Sequence, residues 1–420
     1  MKTNDIIQIL LSEFSQKLGR LDDLVQREEQ FPTAPNKIKV AIGMRRVGKT
    51  YFLYQQILKL LKEGVAISRI LYVNFEDDRL FPMTSKGLAE LIEAFYALYP
   101  ENHDQRCYLF LDEIQNIQDW PMTIRRFQDS LNAEIYLTGS SAKLLSKEIA
   151  SSLRGRSLCS EIWPYSFLEF LRAKNIELEL KPFSTKTKNL LFKLFSQYLS
   201  EGGFPEVTNY EQDERQKTLQ EYIDVVIYRD IIERHSIKNT TLIKYMIMSL
   251  IHNVSKPFAI NKFYNDIKSQ GYKINKDTLY DYTNHIEDAY LAFCVPLGDK
   301  SIRRINTNPK KIYCIDTGLV RAVTLDYESD LGKLFENIIY LELRRMGYQI
   351  NYYLTKERYE VDFLVTSPQG KRKLFQVAWD SSNPDTLLRE ERALKVAMSE
   401  LGIEGEIITL NSYLQHGIKI

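Results

Sequence analysis

Residues 43–50, GMRRVGKT, leave this chain few folds to choose from. They follow the apolar run 38–42 (IKVAI) directly and precede 51–58 (YFLYQQIL) directly, so the spacing G-x-x-x-x-G-K-T falls between a strand-like and a helix-like segment. Gly43 and Gly48 allow backbone turns that a Cβ would obstruct, and successive N–H groups then point into one cavity. Met44, Arg45, Arg46, Val47 and Tyr51 complete the candidate cradle. The following helix adds its positive N-terminal end. Lys49 has the reach to meet β- and γ-phosphates, and the Thr50 hydroxyl is a candidate magnesium ligand. ATP and Mg²⁺ are therefore the expected ligands.

From 38 to about 163, short apolar runs alternate with longer helical stretches, which predicts an α/β domain with a parallel sheet. Strands are expected at 38–42, 70–75, 107–112, 134–138 and 158–163, with helices at 50–63, 85–98, 121–131 and 141–150. Residues 5–30 read as one amphipathic helix, with Ile6, Ile7, Leu10, Leu11, Phe14, Leu18 and Leu21 at helical spacing. The run 107–113 (CYLFLDE) is an apolar strand ending in two acids. Asp112 at its tip would join Thr50 around magnesium, and Glu113 would orient and deprotonate an attacking water. Arg154 and Arg156, in 153–156 (LRGR), are candidates to stabilise transferred phosphate, in cis or from a neighbouring subunit, so a homo-oligomer is a candidate assembly. Surface ion pairing is their alternative role. Glu76 and Asp77 end the second strand on the same edge, where a solvated loop is the simpler reading.

These pieces resemble the bacterial and archaeal AAA-like ATPases whose C-terminal half carries the domain of unknown function 4143. The matching segments are 43–50, 109–116 (LFLDEIQN), 137–141 (LTGSS), 153–156, 163–170 (WPYSFLEF), 202–206 (GGFPE), 228–231 (YRDI), 313–319 (YCIDTGL) and 332–337 (GKLFEN). The resemblance spans nearly the whole chain and implies ATP binding and hydrolysis. In AAA-like ATPases a polar residue at the end of the fourth strand meets the γ-phosphate or the lytic water, which makes Thr138 and Ser140 candidates.

Beyond Pro164 the alternation stops. Residues 165–235 look helical with a break at 201–206. Three helices (240–253, 260–270, 275–291) precede two short strands (292–297, 311–315), the plan of a winged helix. Between 255 and 311, ten Lys and Arg face six Asp and Glu. Arg303, Arg304, Lys310 and Lys311 crowd the expected wing, near Tyr280, Tyr282, Asn284 and His285 of the third helix. Duplex DNA and a protein partner are both candidate ligands, because acids at Asp277, Asp281, Glu287 and Asp288 share that helix. The final hundred residues run helix (331–346), strands (349–354, 360–365, 372–378), helix (385–400), strand (405–409), resembling the restriction-endonuclease type of fold. Glu336 and Asp362 fit that type's acidic positions, whereas Gln376 and Ala378 stand where Glu and Lys are wanted. A retained fold with a broken catalytic centre is expected.

The expected division is a helical segment at 1–36, an AAA-like P-loop domain at 37–165, a helical connector at 166–238, a winged-helix-like domain at 239–315 and a degenerate nuclease-like domain at 316–420. A formal net charge of +1 gives no global field toward nucleic acid or membrane. The N-terminus lacks a secretory pattern, no apolar run approaches the ~20 residues that span a bilayer, and the four scattered cysteines form no C-x-x-C. A cytoplasmic protein with free thiols is expected. The function expected is a Mg-dependent ATPase coupling nucleotide state to partner or DNA binding. A nucleotide-gated scaffold without useful turnover is the alternative, and a DNA-processing nuclease a second, disfavoured one.

Overall fold

The computed structural model describes residues 3–21, 24–139, 152–177, 183–324, 331–379 and 384–418. Two compact units divide the chain, Met1–Trp163 and Pro164–Ile420. The expected helix 141–150, with Ser140 and Ser141, lies outside the described residues.

In the first unit β1 (Ile38–Ile42), β2 (Ile70–Asn74), β3 (Cys107–Asp112), β4 (Ala133–Thr138) and β5 (Ser157–Glu161) form one sheet in the order β2-β3-β4-β1-β5. All its pairings are parallel. All five residues of β1 are buried, four of them apolar, and the fifth, Lys39, pairs with Glu134 of β4. The connecting helices are α2 (Lys49–Lys62), α3 (Ser85–Leu98) and α4 (Trp120–Ser130). Placing β4 between β1 and β3 brings the carboxyl ends of three strands together, the position where open α/β sheets bind ligands.

The N-terminal helix is shorter than its periodicity suggests. Helix α1 is Thr3–Leu18, burying Ile7, Leu10 and Phe14, with Phe14 stacked on Tyr72 at 5.1 Å between ring centroids. The described residues from 24 to 37 contain no helix. The cause is tertiary: the Arg27 backbone N–H donates to Gln55 Oε1 (2.7 Å), and its guanidinium donates to the carbonyls of Val47 and Trp163. A helix continued through 30 would forfeit that anchorage.

The second unit opens with α5 (Phe167–Ala173), α6 (Thr185–Glu201), α7 (Gln212–Val225), a π-helical stretch (Val226–Glu233) and α8 (Thr240–His252). Ser166 starts α5 with a capping box closed by Glu169. The break after α6 has a specific cause. Asp316 accepts N–H bonds from Gly203 (2.7 Å) and Leu319 (3.1 Å), and a Cβ on Gly203 would lie 2.4 Å from the Tyr165 carbonyl oxygen. The 202–206 and 313–319 segments are thus two halves of one buried junction.

A three-stranded antiparallel sheet, β6-β8-β7, follows, with β6 at Pro257–Phe258, β7 at Ala292–Val295 and β8 at Lys310–Cys314. Helices α9 (Ile260–Ser269) and α10 (Lys276–Asp288) precede β7. The segment expected as an extended basic wing instead contains a helix, α11 (Ile302–Thr307), started by the Ser301 side chain accepting from the Arg304 N–H. After α12 (Thr317–Val323) come α13 (Leu331–Arg345), β9 (Gln349–Leu354), β10 (Glu360–Thr366), β11 (Arg372–Ala378), α14 (Pro384–Leu401), β12 (Gly405–Thr409) and α15 (Leu410–His416). The strands pair as β12-β11-β10-β9, parallel between β11 and β12 and antiparallel elsewhere. Val361, Leu364, Leu374, Leu394 and Ala397 form the core beneath this sheet.

Candidate functional site

The 43–50 loop takes the shape its glycines foretell. Gly43 lies at φ 151° and Gly48 at φ 95°, and a Cβ on Gly43 would stand 2.2 Å from the Ile162 carbonyl oxygen. Arg46 also adopts positive φ, at 66°. No side chain caps the N-terminus of α2, so its first N–H groups stay available to an anion. Lys49 is buried and donates to the carbonyls of Gly43 (3.2 Å) and Met44 (3.0 Å), an ammonium folded back on its own loop. This donor set fits a polyphosphate.

At the tip of β3 the Asp112 carboxylate is fully buried. Thr138 Oγ1 donates to its Oδ1, Tyr72 donates to its Oδ2 (2.9 Å), and the Thr50 hydroxyl also bonds to it. Burial lifts the Asp112 carboxyl above its usual range; the Thr138 hydroxyl opposes that, the Glu113 charge adds to it, and Thr50 and Tyr72 oppose it. Glu113 stands in the left-handed region at φ 54°, and its N–H donates to Thr138 Oγ1 (2.9 Å). One hydroxyl therefore bonds to both acids. The Glu113 carboxylate accepts from Gln115 Nε2. The loop, Lys49, Thr50, Asp112, Glu113 and Thr138 converge at the carboxyl end of the inner strands; the hydroxyls and carboxylates among them offer the oxygen ligands that magnesium takes.

Arg154 is exposed at φ 51°, and Arg156 pairs with Asp129 (2.6 Å) at the surface. Of the second-strand acids, Asp77 is committed to Arg79, which holds its carboxyl below the usual range. Glu76 behaves otherwise: burial raises its carboxyl, and the Glu113 charge raises it further while Arg45 opposes. Glu76 is nevertheless exposed in the turn after β2, as the solvated-loop reading expects. Sequence reasoning also missed Tyr72, hidden in an apolar strand, and Arg27, hidden in the charged run QREEQ. Strand alternation could have flagged Tyr72; nothing local marks Arg27.

Trp120 and Trp163 are buried, and Trp379 stacks on Phe195. All four cysteines are free, with Cys107 and Cys314 buried.

An AAA-domain model matches residues 35–171, and models for two domains of unknown function, 8612 and 4143, match 192–331 and 331–417. An uncharacterized protein of Methanocaldococcus jannaschii is 38% identical over 407 residues, covering 96% of this chain and 88% of that one. The chain belongs to this AAA-domain family. A second relative, an uncharacterized protein of Haemophilus influenzae, is 30% identical over 328 residues, covering 78% of this chain and 79% of that one. Among solved structures, the Walker-type ATPase of Pyrococcus abyssi has a TM-score of 0.41 at 13% identity, covering 68% of this chain and 90% of that one. Within this family member, 202–206, 228–231 and 313–319 fall in the 8612 match, so the 4143 match occupies less than the expected C-terminal half. Among the described residues no helix is long and apolar enough to cross a membrane.

Two expectations for the second unit are corrected. Lys311 cannot touch DNA: its side chain is 1% exposed and pairs with Glu336, Glu360 and Asp362. Tyr282 is buried, and His285 stacks on His235 with ring centroids 3.5 Å apart, so neither stands free on an open recognition face. Arg303 and Arg304 stay exposed on α11, Arg304 pairing with Asp299 (2.8 Å).

Proposed function

We propose that this chain is a Mg²⁺-dependent ATPase whose nucleotide state governs binding of a partner by its C-terminal half. The observation that supports it best is the double use of Thr138, whose hydroxyl donates to Asp112 and accepts from the Glu113 N–H. That bridge supports a reading in which Asp112 serves the metal beside the phosphate loop and Glu113, the next residue, serves the water. Lys49 and the loop N–H groups bind the phosphates, and Thr50 with Asp112 would hold magnesium. When bound, magnesium neutralises charge on the β- and γ-phosphates. Glu113 orients a water in line with the γ-phosphorus and takes its proton as the bond to the ADP oxygen breaks. Arg154 is the candidate charge stabiliser; the Arg156–Asp129 pair makes Arg156 the weaker one.

We divide the chain into the segments 1–36, 37–165, 166–238, 239–315 and 316–420, with 239–315 a winged-helix relative whose wing has become helical. Arg303, Arg304 and Lys310 are the residual basic surface for duplex DNA. The loss of Lys311 and Tyr282 from that surface favours a protein partner. The test is ATP turnover with and without duplex DNA. Stimulation by DNA that is lost in Arg303→Ala/Arg304→Ala supports a DNA-coupled switch. Turnover indifferent to DNA supports a protein partner, and ATP binding without turnover supports the scaffold reading.

A further inference from the structure

The nuclease-like expectation places acids at Glu336 and Asp362 and finds Ala378 where the ammonium is wanted on the following strand. The structure brings one from elsewhere. Lys311, on β8 of the three-stranded sheet, extends its Nζ to Glu336 Oε1 (2.8 Å) on α13 and to Glu360 Oε1 (3.0 Å) and Asp362 Oδ1 (2.9 Å) on β10. Glu360 and Asp362 are two apart on one strand and therefore share a face. A register shift in the β9–β10 pairing lies between Val361 and Leu364, an interval that includes Asp362, and an irregularity of this kind re-aims side chains. The ammonium donates to Asp362 and lies within ion-pair distance of the other two carboxylates.

The surrounding bonds hold the acids in place. Asp362 Oδ2 accepts from the Val377 N–H (2.9 Å), Tyr313 donates to Glu336 Oε1 (2.7 Å), and Gln376 Oε1 accepts from the Asp362 N–H (3.2 Å). Gln376 Nε2 donates to Glu390 (2.6 Å), so the residue expected to weaken a metal shell is a brace instead. One ammonium faces three carboxylates here.

We propose that the ammonium of Lys311 is the resident cation of this centre, filling the place a divalent metal ion would take between Glu336, Glu360 and Asp362 and fastening β8 to the terminal sheet without a metal. Buried carboxylates without a cation are strongly unfavourable. The centre thus needs a cation, and the chain supplies one covalently. Oxygens at 2.8–3.0 Å from nitrogen stand farther out than the roughly 2.0–2.6 Å of a magnesium or calcium shell. Among the described residues no His, Cys, Asp or Glu cluster has the spacing of a metal site. Both facts fit a centre shaped around an ammonium. Metal uptake after its removal requires the carboxylates to close by about half an ångström. The proposal does not depend on the ATPase reading.

The test uses the full-length, nucleotide-free protein, with Mn²⁺ as probe. Wild type should neither lose thermal stability in EDTA nor gain it from Mn²⁺. Lys311→Ala should bind one additional Mn²⁺ per chain by electron paramagnetic resonance, at least tenfold tighter than wild type, with a melting temperature raised by several degrees in Mn²⁺. Lys311→Ala/Asp362→Asn should lose that uptake, and Lys311→Met, which fills the space without charge, should gain no stability from Mn²⁺. If Lys311→Ala does not fold alone, Mn²⁺ or Ca²⁺ should rescue its folding. The proposal is overturned by a Lys311→Ala protein that folds without taking Mn²⁺ or that neither ion rescues, or by wild type binding Mn²⁺ equally well. Mn²⁺-dependent DNA nicking by wild type that Lys311→Ala abolishes overturns it too, by making Lys311 a catalytic group.

Discussion

Thr138→Val removes one oxygen from the centre of the site and little else. Thr138 is fully buried, and valine has nearly its shape, so no sizeable cavity forms. Two bonds are lost. The hydroxyl no longer donates to the Asp112 carboxylate, a hydrogen bond to a charged group of about 1.5–3 kcal/mol. The Glu113 N–H loses its acceptor, and an orphaned buried donor costs about 1–3 kcal/mol. Tyr72 and Thr50 remain on Asp112, so part of the loss is recovered. A net destabilisation of about 2–4 kcal/mol follows, or roughly 5–15 °C in the melting temperature of a unit this size. Urea denaturation and ATP turnover should be measured together. Thr138→Ser, which keeps both bonds, should cost about 1 kcal/mol for its missing methyl group and retain turnover. If Thr138→Val stays within 0.5 kcal/mol of wild type, near the noise of ordinary surface changes, and hydrolyses ATP normally, the hydroxyl does not hold the two acids and the reasoning fails.

Two further outcomes follow from single observations. Gly43→Ala places a Cβ 2.2 Å from the Ile162 carbonyl oxygen at φ 151°, so it should abolish ATP binding and cost about 2–4 kcal/mol, measured by nucleotide titration and denaturation. The stacked His235–His285 pair is held neutral, His235 lowered to about 4 first by burial and then by the His285 charge. Because the unfolded chain binds the extra proton below about 6.5, this stability is fully present above that value and lost as pH falls toward 4. The loss should be on the order of 1 kcal/mol after solvent screening, and His235→Phe should flatten the stability profile over that window.

The phosphate loop was legible because its chemistry is contiguous: eight residues dictate the turn, the donors and the helix that follows. The β3 acids were legible because an apolar strand ends where they begin. The sheet order was not, and it matters, since only β4 lying between β1 and β3 brings Thr138 to both acids. Arg27 was missed and Lys311 misplaced for one reason. Each lies in a run of charge that looks solvated, and each is buried by partners distant in the chain, the Val47 and Trp163 carbonyls for one and three carboxylates for the other. Helical spacing carried the α1 expectation too far, because periodicity registers apolar residues and not the tertiary bonds that straighten 24–37.

Steady-state MgATP hydrolysis by wild type and Glu113→Gln, with ATP affinity measured on both, tests the central claim most directly. Removing a general base while keeping the shape should leave affinity unchanged and slow turnover by about 10²–10⁴-fold. Equal rates in the two proteins, or ATP binding by wild type with no hydrolysis, would contradict the account.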